Sequence, residues 1–307
     1  MKENSLPNFI VVGSPKCGTT SLHYYLDDHP EIFMPKQKEL HYFTAEKLLS
    51  LNNGPGDKSV NQFHIKSFQA YKKHFNKVLK QHKAIGDASP SYINYPKIIP
   101  EIKERLGADV RIIIVLRDPI KRAFSNYLHL VRENREKLSF YEALQTEDER
   151  KKMGYSDFWF YKWNSLYSKK VKAYQDAFEE VYIMTNENLQ QNPLESVQKL
   201  YKFLGIDANY KPQNLSKQYN PGGVYKENLI TKLIFRQSGL RSFLKRYIPI
   251  TPGMKSLKQS VLKQFEKPKP EIDKQSEDFL VEYFKDDVKL LKSSFDINIE
   301  SWHPKLK

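Results

Sequence analysis

A chain of 307 residues with 39% hydrophobic and 13% aromatic content can bury one large core, or one domain with a subdomain. Its formal charge of +14 points to anionic partners, namely nucleotide phosphates, sulfated or acidic substrates, or a membrane surface, and no nucleic-acid-binding module is recognisable. The single cysteine, Cys17, excludes an internal disulfide and a thiolate zinc site; with no signal peptide and no apolar run of about 18 residues, a soluble protein of a reduced, cytoplasmic compartment is expected.

Residues 9–12 form a short continuous apolar run, the pattern of a buried parallel strand. Gly13, Pro15 and Gly18 then require a sharp turn, and Thr19, Thr20 and Ser21 open a helix whose first N–H groups lack partners. Such a helix end is an anion site. Gly13 and Gly18 have the spacing of the nucleotide-hydrolase P-loop, but Thr19 follows the second glycine and the lysine sits earlier, at Lys16. That displacement places the lysine beside the loop, near a group being transferred. It suits a 5′-phosphate carrying one further anionic group, and no metal. The plain alternative is an ordinary βα turn with a surface lysine.

The first helix continues to about residue 28, with Leu22, Tyr25 and Leu26 on one face, and His29-Pro30 ends it. An extended piece follows at 32–35, then a charged segment at 36–43 that runs into aromatics. Residues 48–58 read as an exposed Asn/Gly/Pro-rich loop, 68–75 as helical, and 83–90 as a short strand ending in a turn. A helix is expected over 95–106 and the clearest buried strand over 110–116, built on Ile112, Ile113, Ile114 and Val115. Pro119 suits the first turn of a helix to about residue 133. A long helix is expected over 161–178, a core strand over 181–185, and a helix over 193–204 closed by Gly205. Strands alternating with helices give an α/β fold, a three-layer sandwich with a central parallel sheet.

The last third differs. Between 226 and 269 eleven Lys and Arg face only Glu227 and Glu266, a net of +9 broken by prolines. This run reads as a basic helical insertion, a lid over an acceptor site, or a peripheral contact with membrane or polyanion. Residues 272–295 read as an amphipathic helix with Phe279, Leu280, Tyr283, Phe284, Leu290 and Leu291 as its apolar set. One domain over 1–307 is expected, with its core at 9–228, the basic segment at 229–270 and a C-terminal helix at 271–307 packed on the core. No repeat or low-complexity segment is visible.

A second anion motif lies at 115–127. The strand there delivers Arg117 at its C-terminal end, where ligands of open parallel sheets bind, and the following helix presents Ser125 two turns on. From the residues alone, Arg117 grips a second phosphate or pairs with Asp118 or a neighbouring carboxylate.

Together, G-x-P-[KR]-[CST]-G-T-[ST]-x-L at 13–22 and R-[DN]-P-x-x-R-[AS]-x-S-x-Y at 117–127 resemble the sulfotransferases that use 3′-phosphoadenosine 5′-phosphosulfate (PAPS). Residues 38–43 resemble the E-x-H-[FY]-F segment of the heparan-sulfate branch, and 86–92 its E-[KA]-[ST]-P-x-Y segment. Asn188-Leu189 with 193–205 resembles the E-x-L…P…FLG stretch, and 219–226 the late cofactor-covering loop. The resemblance implies that Pro15, Lys16, Cys17, Gly18, Thr19, Thr20 and Ser21 hold the 5′-phosphosulfate, and that Arg117 and Ser125, helped by Tyr225 and Lys226, take the 3′-phosphate. It implies Glu39 as general base, with His41 the rival, and Lys16 at the bridging oxygen as the bond to sulfur breaks. Asp87, Ser89, Tyr92 and His41 are expected at the acceptor, which is a hydroxyl or amine of a carbohydrate or small molecule; the nucleotide product is PAP, and no metal is implied.

A general base is served by a raised pKa, so Glu39 is expected to be partly desolvated beside Tyr42 and Phe43. Ala88 stands where some members of the family carry a lysine, so a second catalytic cation is missing or comes from elsewhere. Cys17 reads as a small filler. The alternative function, a P-loop nucleotide kinase or hydrolase, needs a lysine directly after Gly18 and a magnesium-holding aspartate, for which Asp87 is the candidate.

Overall fold

In the computed structural model the described residues are 5–61, 64–217, 224–225, 265–268 and 270–307, with only the backbone described at 224–225 and 266–267. The Tyr225 side chain, Lys226 and most of the basic segment at 226–269 lie outside them.

Alternation decides where the sheet sits. In β1 (Phe9–Gly13) and β4 (Arg111–Leu116), Ile10, Val12, Ile112, Ile114 and Leu116 enter one apolar cluster, and Phe9, Val11, Ile113 and Val115 enter another. Strands with apolar residues on both faces need helices on both faces. The sheet joins them with β2 (Ile32–Phe33), β3 (Ala84–Ala88) and β5 (Val181–Thr185) in the order β2-β3-β1-β4-β5, all parallel. One face carries α1 (Thr19–Asp27), through Leu22, Tyr25 and Leu26, and packs on Val197, Leu200 and Tyr201.

The smaller helices α2 (Ala45–Leu49), α3 (Asp57–Asn61), α4 (Phe68–Lys73) and α5 (Ile99–Leu106) occupy the first half. Helix α6 (Pro119–Arg132) packs on the other face of the sheet through Ile120, Ala123, Phe124 and Leu128. Its start is specified locally: Pro119 opens it, and Asp118 Oδ1 accepts from the Ile120 and Lys121 N–H groups at 2.9 and 3.1 Å. After α7 (Phe140–Gln145), α8 (Glu147–Lys152) and α9 (Ser168–Ala177), β5 leads into α10 (Asn186–Gln191) and α11 (Pro193–Leu204), which closes on left-handed Gly205. An antiparallel pair, β6 (Val224–Tyr225) and β7 (Glu266–Lys267), stands apart from the main sheet.

The C-terminal helix α12 (Lys274–Ser294) is capped by Asp273 and buries Leu280, Phe284, Val288 and Leu291. Its inward stripe includes Val288, whereas Leu290 and Tyr283 are exposed, which corrects the expected apolar set. Asp287, on this helix, accepts the Tyr167 and Ser168 N–H groups at 2.7 and 3.2 Å and so fixes the start of α9. The tail returns to the sheet, where Asp118 Oδ2 accepts the His303 N–H at 2.6 Å and Glu187 accepts the Trp302 indole at 3.2 Å.

Two sequence expectations fail for the same reason. The long helix over 161–178 starts only at Ser168, because residues 157–165 contain two short turns, with Trp159, Phe160 and Tyr161 buried in the core. Glu147 accepts the Lys162 and Trp163 N–H groups at 2.7 and 3.0 Å, backbone bonds a continuous helix would use itself. The segment 48–58 is exposed only in part: it joins two short helices and turns one acid inward. Asp57 is fully buried and accepts from the Gly54 and Ser156 N–H groups, the Ser156 hydroxyl, the Trp159 indole and the Arg135 guanidinium. Its polar composition serves an internal carboxylate whose partners range from Gly54, three residues away, to Arg135, Ser156 and Trp159, 78 to 102 residues away.

Asp57→Ala is expected to cost about 3–5 kcal/mol, since it removes the buried carboxylate that joins Arg135, Ser156 and Trp159 and leaves the Arg135 guanidinium with Glu133 as its one carboxylate among the described residues. Urea unfolding measures this, and a loss below about 1 kcal/mol would show that Arg135 finds another acceptor.

Candidate active site

The strand order reverses between β1 and β4, the place where open parallel sheets leave a crevice at their C-terminal ends. A cavity of about 910 Å³ opens there. The loop after β1 forms one wall. Ser14 N–H bonds Val115 O at 2.7 Å, which fastens the loop to β4. Gly18 has φ of 88° and caps α1 with no side chain over the helix N-terminus, so the first N–H groups stay available to an anion. A Cβ at Gly18 would lie 2.3 Å from Asn186 Nδ2, which makes glycine necessary on both counts.

Two guanidinium groups hold the loop by its carbonyls. Arg117 donates to Lys16 O at 3.2 Å, and Arg122 donates to Pro15 O at 3.3 Å. Arg122 is fully buried; it also donates to Ser165 Oγ, Asn126 Oδ1 and Tyr161 O at 2.6, 3.2 and 3.1 Å. Arg117 Nε is buried with no hydrogen-bond partner among the described residues. An unpaired charged donor at a strand end fits a ligand anion.

Of the predicted residues, Pro15, Lys16, Gly18, Thr19, Thr20 and Ser21 line the cavity from the loop, and Arg117 and Ser125 from β4 and α6. Glu39 and His41 line it from the segment before α2. Among the described residues, four that are not glycine have left-handed φ, and three of them are Lys16 (69°), Glu39 (62°) and His41 (52°). Backbone strain gathered at one cavity marks a functional site.

Burial lowers the Lys16 pKa to about 7, with the charges of Arg132, Arg117 and Arg122 acting the same way against Glu39. Burial alone would raise Glu39, but His41 and Lys38 outweigh it and hold the carboxyl well below the usual range. The raised pKa expected for Glu39 is therefore corrected to a lowered one. Lys38 forms an ion pair with Glu39 and donates to Thr20 Oγ1 at 2.7 Å, so carboxylate and loop are linked. The Glu39 side chain remains 41% exposed and reachable from the cavity. His41 Nε2 stands 3.8 Å from Glu39 Oε2, while its Nδ1 meets Ser91 Oγ at 2.7 Å and Ser91 meets Thr44 Oγ1 at 2.6 Å.

Asp87, Ser89 and Tyr92 are fully buried and do not line the cavity, which corrects their expected contact with an acceptor. Asp87 accepts from Ser89 Oγ, Tyr92 Oη and Tyr71 Oη at 2.8, 2.9 and 3.0 Å; Ser89 Oγ in turn accepts the His41 N–H at 3.0 Å. The triad anchors His41 from behind. The Cys17 side chain points away from the cavity too, 3.8 Å from Tyr167 Oη, and burial pushes its thiol up to about 11. Only the Cys17 backbone belongs to the loop.

Sequence reasoning assigned no role to Arg122, Lys38, Asn186, His129, Arg132 and Asp157. Arg122 lies inside the quoted motif. Ser125, His129 and Arg132 have helical i, i+4, i+7 spacing, a signal that was available. Asn186 and Asp157 are distant in sequence and carry no pattern. Among the described residues no group of three or more His, Cys, Asp or Glu could hold a metal ion.

An α/β sheet with an anion cradle at its switch point and a strained carboxylate across the cavity defines a P-loop-like class of protein. The chain belongs to the Sulfotransferase family, whose profile matches residues 7–210. A sulfotransferase structure from Alicyclobacillus acidocaldarius is similar at 30% identity and a TM-score of 0.76, covering 97% of this chain and 99% of that one. The membrane-associated sulfotransferase kil1 of Dictyostelium discoideum is 38% identical over 124 residues, which are 40% of this chain and 22% of the relative. Human carbohydrate sulfotransferase 15 is 28% identical over 167 residues, 45% of this chain and 30% of that protein. The chain thus spans under a third of the length of either curated relative. No helix among the described residues is long and apolar enough to cross a membrane; cytoplasmic placement rests on the sequence expectation alone.

Because Lys16 loses its proton near pH 7 and a bound anion favours the charged form, inorganic sulfate should bind best below pH 7 and about ten-fold more weakly well above it. Calorimetry from pH 6 to 9 should show this slope in the wild type and a flatter one in Lys16→Met. Equal slopes in the two proteins would remove Lys16 from the anion site.

Proposed function

We propose that this protein transfers a sulfuryl group from PAPS to a hydroxyl or amine of a carbohydrate or small-molecule acceptor. The observation that carries the reading is the meeting, in one cavity, of the Lys16 loop, Arg117 with its unpartnered Nε beside Ser125, and the strained Glu39. Family membership and the names of the relatives, one of them a carbohydrate sulfotransferase, support it.

In this reading the α1 N-terminus with Thr19 and Thr20 receives the 5′-phosphosulfate, and Arg117 and Ser125 receive the 3′-phosphate, the group that separates this donor from ATP. The acceptor oxygen or nitrogen attacks sulfur in line with the bridging oxygen. A new bond to sulfur forms, the sulfur–oxygen bond to the 5′-phosphate breaks, and its electron pair stays on the phosphate of PAP. Lys16 neutralises that oxygen, and the acceptor proton passes to Glu39. Lys38 and His41 keep Glu39 ionised, so it is a weak but always available base whose partner becomes acidic only as it bonds to sulfur. His41 serves Glu39 in this arrangement, because its Nδ1 is occupied by Ser91 and its Nε2 faces the carboxylate.

The kinase or hydrolase alternative loses its magnesium aspartate: Asp87 is sealed behind Ser89, Tyr71 and Tyr92.

Incubation with PAPS and a panel of hydroxyl and amine acceptors, without added metal, should give sulfated product. Glu39→Gln should lower kcat by about 10²–10⁴-fold while PAP binding is kept. Arg117→Ala should weaken PAP by about ten-fold or more. Undiminished turnover in Glu39→Gln would pass the base role to His41, and undiminished PAP affinity in Arg117→Ala would sink the 3′-phosphate assignment.

A further inference from the structure

We propose that Arg132 is the second cation of sulfuryl transfer, facing the non-bridging oxygens of the sulfuryl group while Lys16 takes the bridging oxygen; this rests on the donor reading above. Arg132 ends α6 on the face that carries Ser125, and it lines the same cavity wall as His129. Its Nη2 donates to His129 Nδ1 at 2.7 Å, which leaves the second imidazole nitrogen, the one turned to Glu133 Oε1 at 3.6 Å, as the proton carrier. The guanidinium is thereby held at one edge, in a side chain that lines the cavity.

No carboxylate pairs with Arg132 among the described residues, and the nearby acids are engaged elsewhere. Glu133 meets Arg135 at 3.3 Å, and Asp57 pairs with the same Arg135. A half-buried arginine without a carboxylate, in a cavity that already holds Lys16 and Arg117, is suited to an anionic group of the ligand. Its charge is also the strongest of those acting on Lys16, which places the two cations on the same region of the cavity. Ala88, at the end of β3, is buried in the core and offers no charge there. As the bond from sulfur to the 5′-phosphate oxygen lengthens and the acceptor bond forms, negative charge spreads over the three remaining sulfuryl oxygens. A planar, permanently charged guanidinium can meet two of them without moving a proton.

The test separates PAPS from PAP, which lacks the sulfuryl group. Calorimetry on the full chain should show that Arg132→Ala weakens PAPS by about ten-fold and leaves PAP unchanged, with Arg132→Lys recovering part of the loss. Arg117→Ala should weaken both nucleotides. If Arg132→Ala loses thermal stability, Arg132→Gln, which keeps a donor for His129, takes its place in the same comparison. Equal weakening of PAPS and PAP would make Arg132 a phosphate ligand, and no change in either would make it a wall residue; each result overturns the proposal. A wild type that binds neither nucleotide overturns the donor reading instead.

Discussion

The buried guanidinium of Arg122 is the contact on which the site depends. It is fully enclosed, yet among the described residues it meets no carboxylate at hydrogen-bond distance; its partners there are two backbone carbonyls, a hydroxyl and a side-chain amide. A cation buried among neutral acceptors is costly unless every donor is used. The geometry that uses them joins three separate pieces of chain. Pro15 belongs to the loop after β1, Asn126 to α6, and Tyr161 and Ser165 to the turns before α9. None of the three can shift without leaving a buried charge unpaired. The loop conformation is thus held from below by a side chain that never reaches the cavity.

The same logic applies to the segment opposite the loop. Glu39 and His41 both sit in left-handed conformations that cost of order 1–3 kcal/mol each. The offset comes from the layer behind them: the Asp87 carboxylate with its three hydroxyl donors, and the Ser89 oxygen that holds the His41 backbone. Lys38 closes the circuit by bonding both Glu39 and Thr20. Cradle and carboxylate are therefore parts of one hydrogen-bonded frame, which fixes their separation across the cavity.

Much of the frame was legible in the sequence because its signals are local. Apolar runs bounded by glycine and proline gave the strands, and Asp118-Pro119 gave the start of α6. The loop lysine and the glycines around it gave the cradle. What was not legible depends on which distant residues meet. Asp87 looked like a substrate carboxylate because its burial is created by Tyr71 and Tyr92, residues that the β3 sequence does not announce. Asp57 looked like loop polarity because its partners Arg135, Ser156 and Trp159 come from elsewhere in the chain. The direction of the Glu39 shift was misread because the apolar neighbours Tyr42 and Phe43 are adjacent in sequence, whereas the charges of Lys38 and His41 decide the balance in space. Burial and opposite charge pull a carboxylate in contrary directions, and only geometry says which prevails.

The electrostatics of the empty and occupied cavity differ in a way that bears on chemistry. Lys16, Arg117, Arg122 and Arg132 act on one another as like charges, and Lys16, the only one of them able to shed its proton at moderate pH, is held near 7. An anion bound among them favours the charged lysine, so the ammonium is most fully formed when a donor occupies the cradle. The repulsion that weakens Lys16 in the free protein therefore becomes attraction toward the ligand. In the proposed transfer, the leaving oxygen would gather its charge beside a cation that the donor itself helps to create. Glu39 is the counterweight: its carboxylate opposes the cluster and raises Lys16, so removing it also alters the cation. Glu39 and Lys16 are coupled through space, so in the proposed transfer their contributions as base and leaving-group stabiliser would not be additive.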